Sequence, residues 1–471
     1  MAARLRRSPL TPLLVAVALL VAAWALLVPP FALPDEAPHF GYVQSLAENG
    51  ERPASVASSG RSFSQEERFA LGLARTRAHY LADPVYKPAW EPSAERTWDR
   101  HGPGARRDDI AGIGPQRAHP PLYYAYETVP YAAASGGDLF DRLLVMRLWS
   151  GALLLVTVAA AWLLVGEVTG RDRLLQLAGA ACVGLQPMVT FVSAGVNPDA
   201  LLFAGYSVVL WLCARLLRRG ASPAAVAGLL AATAVTVLTK AAGLALVPGV
   251  ALVLVLLVRP GLRARAAAGA LAAVAVLVAL GASATSNLGD RASPDAGASE
   301  LRGFATYLWD FYLPRLPFQH EYGVLSVDNP AWTVWVKHAW ASFGVLEVQF
   351  PRPVYVLLAA VAGAMLAGAV AAIARSRFRI DRRLLAVFGL TAACLVAGIH
   401  WVDFRQVNEE NLRVIQGRYL LPLMPIVAVG VAAALSNLGP RVRRTGVALL
   451  LAGLALLQVA SLGITAGRYF A

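Results

Sequence analysis

The sequence predicts an all-α polytopic membrane protein with about eleven transmembrane helices. Three observations carry that prediction. Hydrophobic residues make up 57% of the chain and charged ones only 15%, too apolar for a soluble protein. Apolar stretches recur that approach the ~20 residues needed to cross ~30 Å of hydrocarbon. Basic residues sit in short clusters between those stretches, so the formal charge of +13 is a topology signal and not a nucleic-acid footprint.

The first stretch, residues 10–30, follows Arg4, Arg6 and Arg7. It is longer than a ~7–15-residue signal core, and no small-x-small cleavage site precedes Asp35, so a retained span is expected. Further stretches lie at 143–165, 174–194, 200–217, 224–239, 241–258, 266–284, 354–373, 384–399, 420–435 and 447–464. The pair flanking Lys240 has a broken hairpin as its alternative. Arg171/Arg173, Arg215/Arg218/Arg219, Arg259/Arg263/Arg265, Arg375/Arg377/Arg379/Arg382/Arg383 and Arg441/Arg443/Arg444 join the amino-terminal arginines on alternate connections. With eleven spans all six clusters share one side, expected to be cytoplasmic, with the amino terminus inside and the carboxyl terminus outside.

The expected organisation is a cytoplasmic tail and first span (1–31), a first extracytoplasmic loop (32–142) and a transmembrane bundle (143–284). A second long extracytoplasmic loop (285–353) and a carboxyl-terminal bundle (354–471) follow. Neither loop reads as a separate soluble domain. Residues 63–81 have helical composition, and the proline-bounded aromatic run 120–134 suits a helix lying in the membrane interface. Trp332, Trp335, Val336, Ala339, Trp340 and Phe343 fall at helical spacing, as expected of a membrane-surface or packing face. Cys182, Cys213 and Cys394 lie singly inside apolar stretches, without metal-ligand spacing, and read as small buried hydrophobes.

Chemistry is concentrated on the outer side. Asp35 and Glu36 emerge where the first stretch ends, and charge at a membrane surface usually has work to do. Asp35 is placed to cap a helix running through Phe40, with Glu36 and Pro38 in its first turn. His39 stands four residues on and shares a face with Asp35. His119 returns to the membrane before the aromatic run. Asn197 and Asp199 cap the next span on the same side. Lys240, Arg405 and Arg418 break the cytoplasmic bias of basic residues; they suit a phosphate at the outer leaflet, the arginines by bidentate hydrogen bonding. Tyr419 follows Arg418. A phosphate-binding loop of the GxxxxGK type, a Gly-rich dinucleotide turn, an HExxH zinc helix and a GxSxG elbow are all missing from the sequence, which argues against a nucleotide-driven pump.

The run Pro34-Asp35-Glu36-Ala37-Pro38-His39-Phe40 resembles the Asp-Glu-x-x-His-Phe stretch of protein mannosyltransferases and their bacterial relatives in the GT-C superfamily of membrane glycosyltransferases. The chain is most similar to a bacterial multipass family called domain of unknown function 2142. The resemblance is also carried, in order, by His119-Pro120-Pro121-Leu122-Tyr123-Tyr124, by Asn197-Pro198-Asp199-Ala200 and by Gly417-Arg418-Tyr419-Leu420-Leu421-Pro422. It spans about residues 10–435.

This resemblance implies a GT-C-like fold and transfer of a sugar, with inversion, from a polyprenyl-phosphate donor to a glycan, lipid or protein acceptor outside the cytoplasm. Such a reaction needs a base for the acceptor hydroxyl and positive charge where the departing phosphate gains charge. Asp35 is the expected base, with Glu36 in support. Lys240, Arg405 and Arg418 are the expected phosphate partners, and His39, His119, Asn197, Asp199 and Tyr419 the expected lining. No particular cofactor is implied, and a divalent metal stays open: paired carboxylates are able to hold one, which a monophosphate donor does not demand. A transporter or flippase of a lipid-linked sugar is the alternative, since it would use the same cations without a base.

Overall fold

The computed structural model describes residues 8–54, 63–75, 89, 91–258, 260–262, 269, 297–319 and 330–470. The expected span 266–284, residue 269 apart, lies outside the described residues, as do Arg4, Arg6, Arg7, Arg259, Arg263 and Arg265.

Every other expected span is helical. Helices α1 (Leu10–Leu27), α2 (Glu36–Asn49), α3 (Gln65–Leu73), α4 (Pro92–His101) and α5 (Leu122–Ala133) lead into α6 (Leu139–Thr169). There follow α7 (Arg173–Gly184), α8 (Pro187–Ser193), α9 (Asp199–Arg219), α10 (Pro223–Val237), α11 (Val247–Leu257) and α12 (Gly297–Tyr312). The chain closes with α13 (Arg352–Ala374), α14 (Arg382–Glu410), α15 (Met424–Ser436) and α16 (Pro440–Tyr469). Among the described residues seven helical runs are long and apolar enough to cross a membrane: α1, α6, α9, α13, α14, Gly417–Ser436 and α16. Helices α7 and α8 together are apolar and long enough for a broken span or a re-entrant loop, bent by 57° where Pro187 interrupts the hydrogen-bond ladder. The Gln186 side chain accepts the freed Val189 N–H at 2.7 Å. The two helices flanking Lys240 are shorter; the 15 residues of α10 reach about 22 Å, less than the hydrocarbon thickness.

Local chemistry sets the ends. A reciprocal pair of bonds between Asp138 and Asp141 (2.9 and 3.2 Å) opens α6, and Gly170, at φ 66°, closes it. Such caps satisfy backbone groups that a helix leaves orphaned. Helix α6 is the central post, packed against α1, α5, α7 and α9, while α7 packs on α15 and α15 on α13. A Cβ at Gly179 would lie 2.8 Å from the Ala428 carbonyl oxygen, so only glycine lets α7 and α15 approach so closely. The bundle turns its outer large residues toward lipid: Leu357, Leu366, Leu449 and Leu456 on α13 and α16 are 63–70% exposed, a placement stable only against hydrocarbon.

The first long loop folds onto one end of the bundle. Phe31, Phe40, Tyr42, Trp98, Tyr123, Tyr124 and Leu143 share one buried cluster. Glu66 of α3 is gripped by the fully buried Arg142 of α6 at 2.6 Å. The aromatic run expected at the interface is α5, wedged between α2 and α6. The expected helix through residues 331–343 is cut short. A turn at Pro330–Trp332 winds into a π-helix, Thr333–His338, and Phe343 belongs instead to β1 (Ser342–Phe343), antiparallel to β2 (Val348–Gln349). Val334 joins Tyr307, Phe311, Phe404 and Val407 in a cluster that fastens the second loop to α14.

The end of α1, both loops, the starts of α6 and α9, the end of α10 and residues 417–423 therefore lie at one end of the bundle. The described arginine-rich connections lie at the other.

Candidate active site

Helix α1 ends at Leu27, and the loop that follows must reverse into α2. It does so through two residues with left-handed backbone, Phe31 (φ 61°) and Asp35 (φ 58°). Such positions cost non-glycine residues about 1–3 kcal/mol and persist where the surroundings over-determine them. Here the over-determination is visible. Glu36 is fully buried and meets Arg147 of α6 with both oxygens, Oε1 to Nε at 2.7 Å and Oε2 to Nη2 at 2.5 Å. The remaining Arg147 donors reach the carbonyls of Ala25 (2.8 Å), Val28 (2.7 Å) and Pro29 (2.9 Å) at the end of α1. Glu36 also accepts the N–H of Phe31 (3.0 Å) and of Val196 (3.3 Å). Every guanidinium donor has an acceptor, so this clasp fixes the loop.

With Glu36 committed inward, Asp35 points the other way. Although it stands at the N-cap of α2, its side chain makes no cap bond. Its Oδ2 accepts instead from Arg418 Nη2 at 2.5 Å, and the side chain is 38% exposed while that of Arg418 is 3%. Burial would push the Asp35 carboxyl up, but Arg418, His39 and Lys240 together outweigh it and hold the group down at about 2. Beside it Asp199, in the first turn of α9, accepts Lys240 Nζ at 2.6 Å. The Lys240 ammonium and the Arg418 guanidinium each lie 5.3 Å from the centre of the Tyr419 ring, within cation–π range. Asn197 stands behind: its Nδ2 donates to the Pro34 carbonyl at 3.0 Å and its Oδ1 accepts the Asp199 N–H at 2.9 Å.

Histidines and tyrosines form the opposite wall. His39 Nδ1 is 2.9 Å from the Tyr124 hydroxyl, and its ring centre is 6.0 Å from that of His119. Burial lowers His39 to about 3, against the pull of Asp35, and lowers His119 to about 4, helped by Lys240. Both imidazoles are therefore neutral near pH 7. Tyr42 stacks on Tyr124 at 3.7 Å. Arg52 donates to the Tyr42 hydroxyl at 2.8 Å and to the His119 carbonyl at 3.3 Å, holding this wall in place.

Three polar groups at the centre have no partner among the described residues: Nε and Nη1 of Arg418 and Oδ2 of Asp199, all buried. A buried donor left unpaired costs about 1–3 kcal/mol. Two on one guanidinium, beside a partly open carboxylate, form a seat for an anion.

The structure thus brings together Asp35, His39, His119, Asp199, Lys240, Arg418 and Tyr419, with Asn197 as support. It does not bring in Glu36, whose carboxylate is consumed by Arg147. Nor does it bring in Arg405, which pairs with Glu409 one turn along α14 at 2.5 Å and with Glu300 of α12 at 3.1 Å. Sequence reasoning missed Arg147, Tyr124, Tyr42 and Arg52. The signal for Arg147 was a lone arginine inside an apolar stretch. Among the described residues no group of three or more His, Cys, Asp or Glu side chains converges as metal ligands would.

Two structural consequences are testable here. Arg147→Met leaves Glu36 buried without its partner, a loss of about 3–5 kcal/mol for a broken buried pair; thermal unfolding of the detergent-solubilised protein checks it. A Cβ at Gly417 would lie 2.2 Å from the Val334 carbonyl oxygen and 2.3 Å from the Ala339 nitrogen. These are backbone atoms of the π-helical segment and of its C-cap, so Gly417→Ala is expected to push residue 418 out of register and impair the site more than it lowers the melting temperature. Comparing donor binding with thermal unfolding in that variant separates the two effects.

The sequence profile of a family described as predicted membrane protein (DUF2142) matches residues 18–427. Among solved structures, the chain is similar to ArnT from Cupriavidus metallidurans in the apo state, with 16% identity, 98% of this chain and 74% of that chain covered and a TM-score of 0.45. It is also similar to the Archaeoglobus fulgidus oligosaccharyltransferase in the apo form, with 12% identity, 99% and 57% covered and a TM-score of 0.50. The chain thus spans little more than half the length of that oligosaccharyltransferase. No curated protein matches it. At such identity the likeness to the oligosaccharyltransferase speaks to fold alone, a polytopic helical bundle.

Proposed function

The chain belongs to the DUF2142 family of membrane proteins, and from that premise we propose that it is a membrane glycosyltransferase using a polyprenyl-monophosphate sugar. The observation that carries this reading is the pair of buried, unpartnered Arg418 donors beside the Asp35 carboxylate. The donor phosphate fills that seat, with Lys240 as the second cation. The acceptor hydroxyl approaches Asp35, which takes its proton as the acceptor oxygen bonds to the anomeric carbon. The bond from that carbon to the phosphate oxygen breaks on the opposite face, inverting the centre. The electron pair stays on the phosphate, whose added charge falls to Arg418 and Lys240.

One electrostatic feature supports the assignment. A carboxylate held near 2 is a weak base, and Arg418 is the main force holding it there. A phosphate bound to Arg418 offsets that positive charge, so donor binding raises the Asp35 pKa toward the range useful for proton abstraction. The base is strengthened only when the donor is in place.

On this proposal the site end faces the extracytoplasmic compartment and the arginine-rich end the cytoplasm, with the acceptor a glycan, lipid or protein hydroxyl. The test is to incubate purified protein with a panel of polyprenyl-phosphate sugars and acceptors and to follow polyprenyl phosphate release. Release with transfer to an acceptor supports the proposal. Donor that crosses the bilayer unchanged, with no release, favours a flippase and overturns it.

A further inference from the structure

A second charged cavity lies at the far end of the bundle. It has a volume of about 300 Å³ and is lined by Val168 of α6, Leu217 and Arg218 of α9, Arg379 and Ile380 before α14, and Asp381, Arg383 and Leu384 at the start of α14. Arg218 is 19 residues along α9 from Asp199, which places it about 28 Å from the reaction cluster at 1.5 Å per residue. The cavity is therefore separate from the anion seat at Arg418.

Three arginines and one aspartate line the cavity, and the carboxylate is occupied. Asp381 caps α14 by accepting the Arg383 N–H at 2.9 Å and binds the Arg383 guanidinium at 2.7 Å. Arg218 also acts on Asp381 through space, helping to hold its carboxyl down, but neither Arg218 nor Arg379 makes a side-chain hydrogen bond or a close ion pair within the described residues. The cavity therefore keeps two cations in excess. Its other walls, Val168, Leu217, Ile380 and Leu384, are aliphatic. The space is large enough for a phosphate with a small alcohol.

We infer that this cavity binds the headgroup of an anionic phospholipid, with the phosphate between Arg218 and Arg379 and the glycerol end against the aliphatic wall. A guanidinium pair suits phosphate oxygens. The cavity also sits at the ends of α6 and α9, where lipid headgroups reside, on the arginine-rich side that favours anionic lipid. A free phosphate would satisfy the arginines but leave the aliphatic half in contact with water.

The test uses the full chain in detergent with dioleoyl phosphatidylglycerol as the probe, read by native mass spectrometry and thermal unfolding. Dioleoyl phosphatidylcholine and inorganic phosphate serve as comparison arms. The expected result is one tightly retained phosphatidylglycerol and a raised melting temperature. Arg218→Gln with Arg379→Gln should weaken retention about tenfold or more, while Arg441→Gln with Arg444→Gln, on the same end of the bundle, leaves it within about twofold. If the double variant fails to fold, Arg379→Gln alone, in a connection between helices, should still lower retention. Equal loss in both double variants means diffuse attraction and overturns the site. An equal response to inorganic phosphate, or to phosphatidylcholine, overturns the lipid assignment.

Discussion

Asp35→Asn is expected to lower turnover by about 10²–10⁴-fold, the usual contribution of a general base, while donor binding stays equal to the native protein or tightens. The amide retains an oxygen for Arg418 but no charge, so the guanidinium is freer to receive phosphate. Fold and expression should be unaffected, because the loop is held by Glu36 and Arg147 and not by Asp35. Steady-state release of polyprenyl phosphate, alongside donor affinity, measures both halves. Unchanged turnover removes Asp35 as the base. Lost donor affinity makes it a binding residue instead. The native pH profile adds an independent reading. A carboxyl at about 2 is ionised at every pH above its own midpoint, and histidines at about 3 and 4 are neutral there. The kcat/KM of the free enzyme should therefore show no acid limb across about pH 5–8. A limb near pH 6.5 would point to one of the histidines.

The second large effect belongs to Arg418. Arg418→Gln removes both the anion seat and the charge that holds Asp35 down. Losing one such stabilising group costs about 10²–10³-fold in rate, and donor affinity should fall with it. The pH profile should also change in a definite direction. Burial raises the Asp35 carboxyl and Arg418 is the first force to oppose it; without Arg418 the carboxyl moves up. An acid limb should then appear in kcat/KM where the native enzyme has none. Arg418→Lys should recover part of the pH behaviour through its charge but little of the donor affinity, because an ammonium cannot make a bidentate contact. A flat pH profile in Arg418→Gln would show that the two residues are not coupled. Both variants need residual activity above background, and kcat/KM is read from the donor dependence of the rate at each pH.

Much of this arrangement was legible in the sequence. Carboxylates where a span ends, a lysine between two short apolar stretches and an arginine opening a span all violate the charge logic of membrane loops. Asp35, Lys240 and Arg418, singled out by those violations, lie together in the candidate site. Sidedness alone, however, does not distinguish neighbours. Asp35 and Glu36 are adjacent acids with opposite fates, decided by a left-handed backbone turn and by Arg147, which lies 111 residues from Glu36. Arg405 had the right sidedness too, but Glu409 at i+4 and Glu300 in the second loop occupy it. The former partner was readable from spacing; the latter required the fold. The aromatic run 331–343 had helical periodicity yet winds as a π-helix and then pairs as a strand, placing its backbone against Gly417. Periodicity reports which side chains share a face and says nothing about how closely another backbone approaches.

The central claim is that the donor phosphate sits on Arg418 with its anomeric carbon turned to Asp35. The most direct measurement is a cryo-electron microscopy structure with a non-transferable polyprenyl-phosphonate sugar. The account predicts a phosphonate oxygen about 3 Å from at least one of Arg418 Nε and Nη1, with the sugar between the Asp35 carboxylate and the wall of His39 and His119. A phosphonate bound elsewhere, with those two nitrogens still unpartnered, would contradict it.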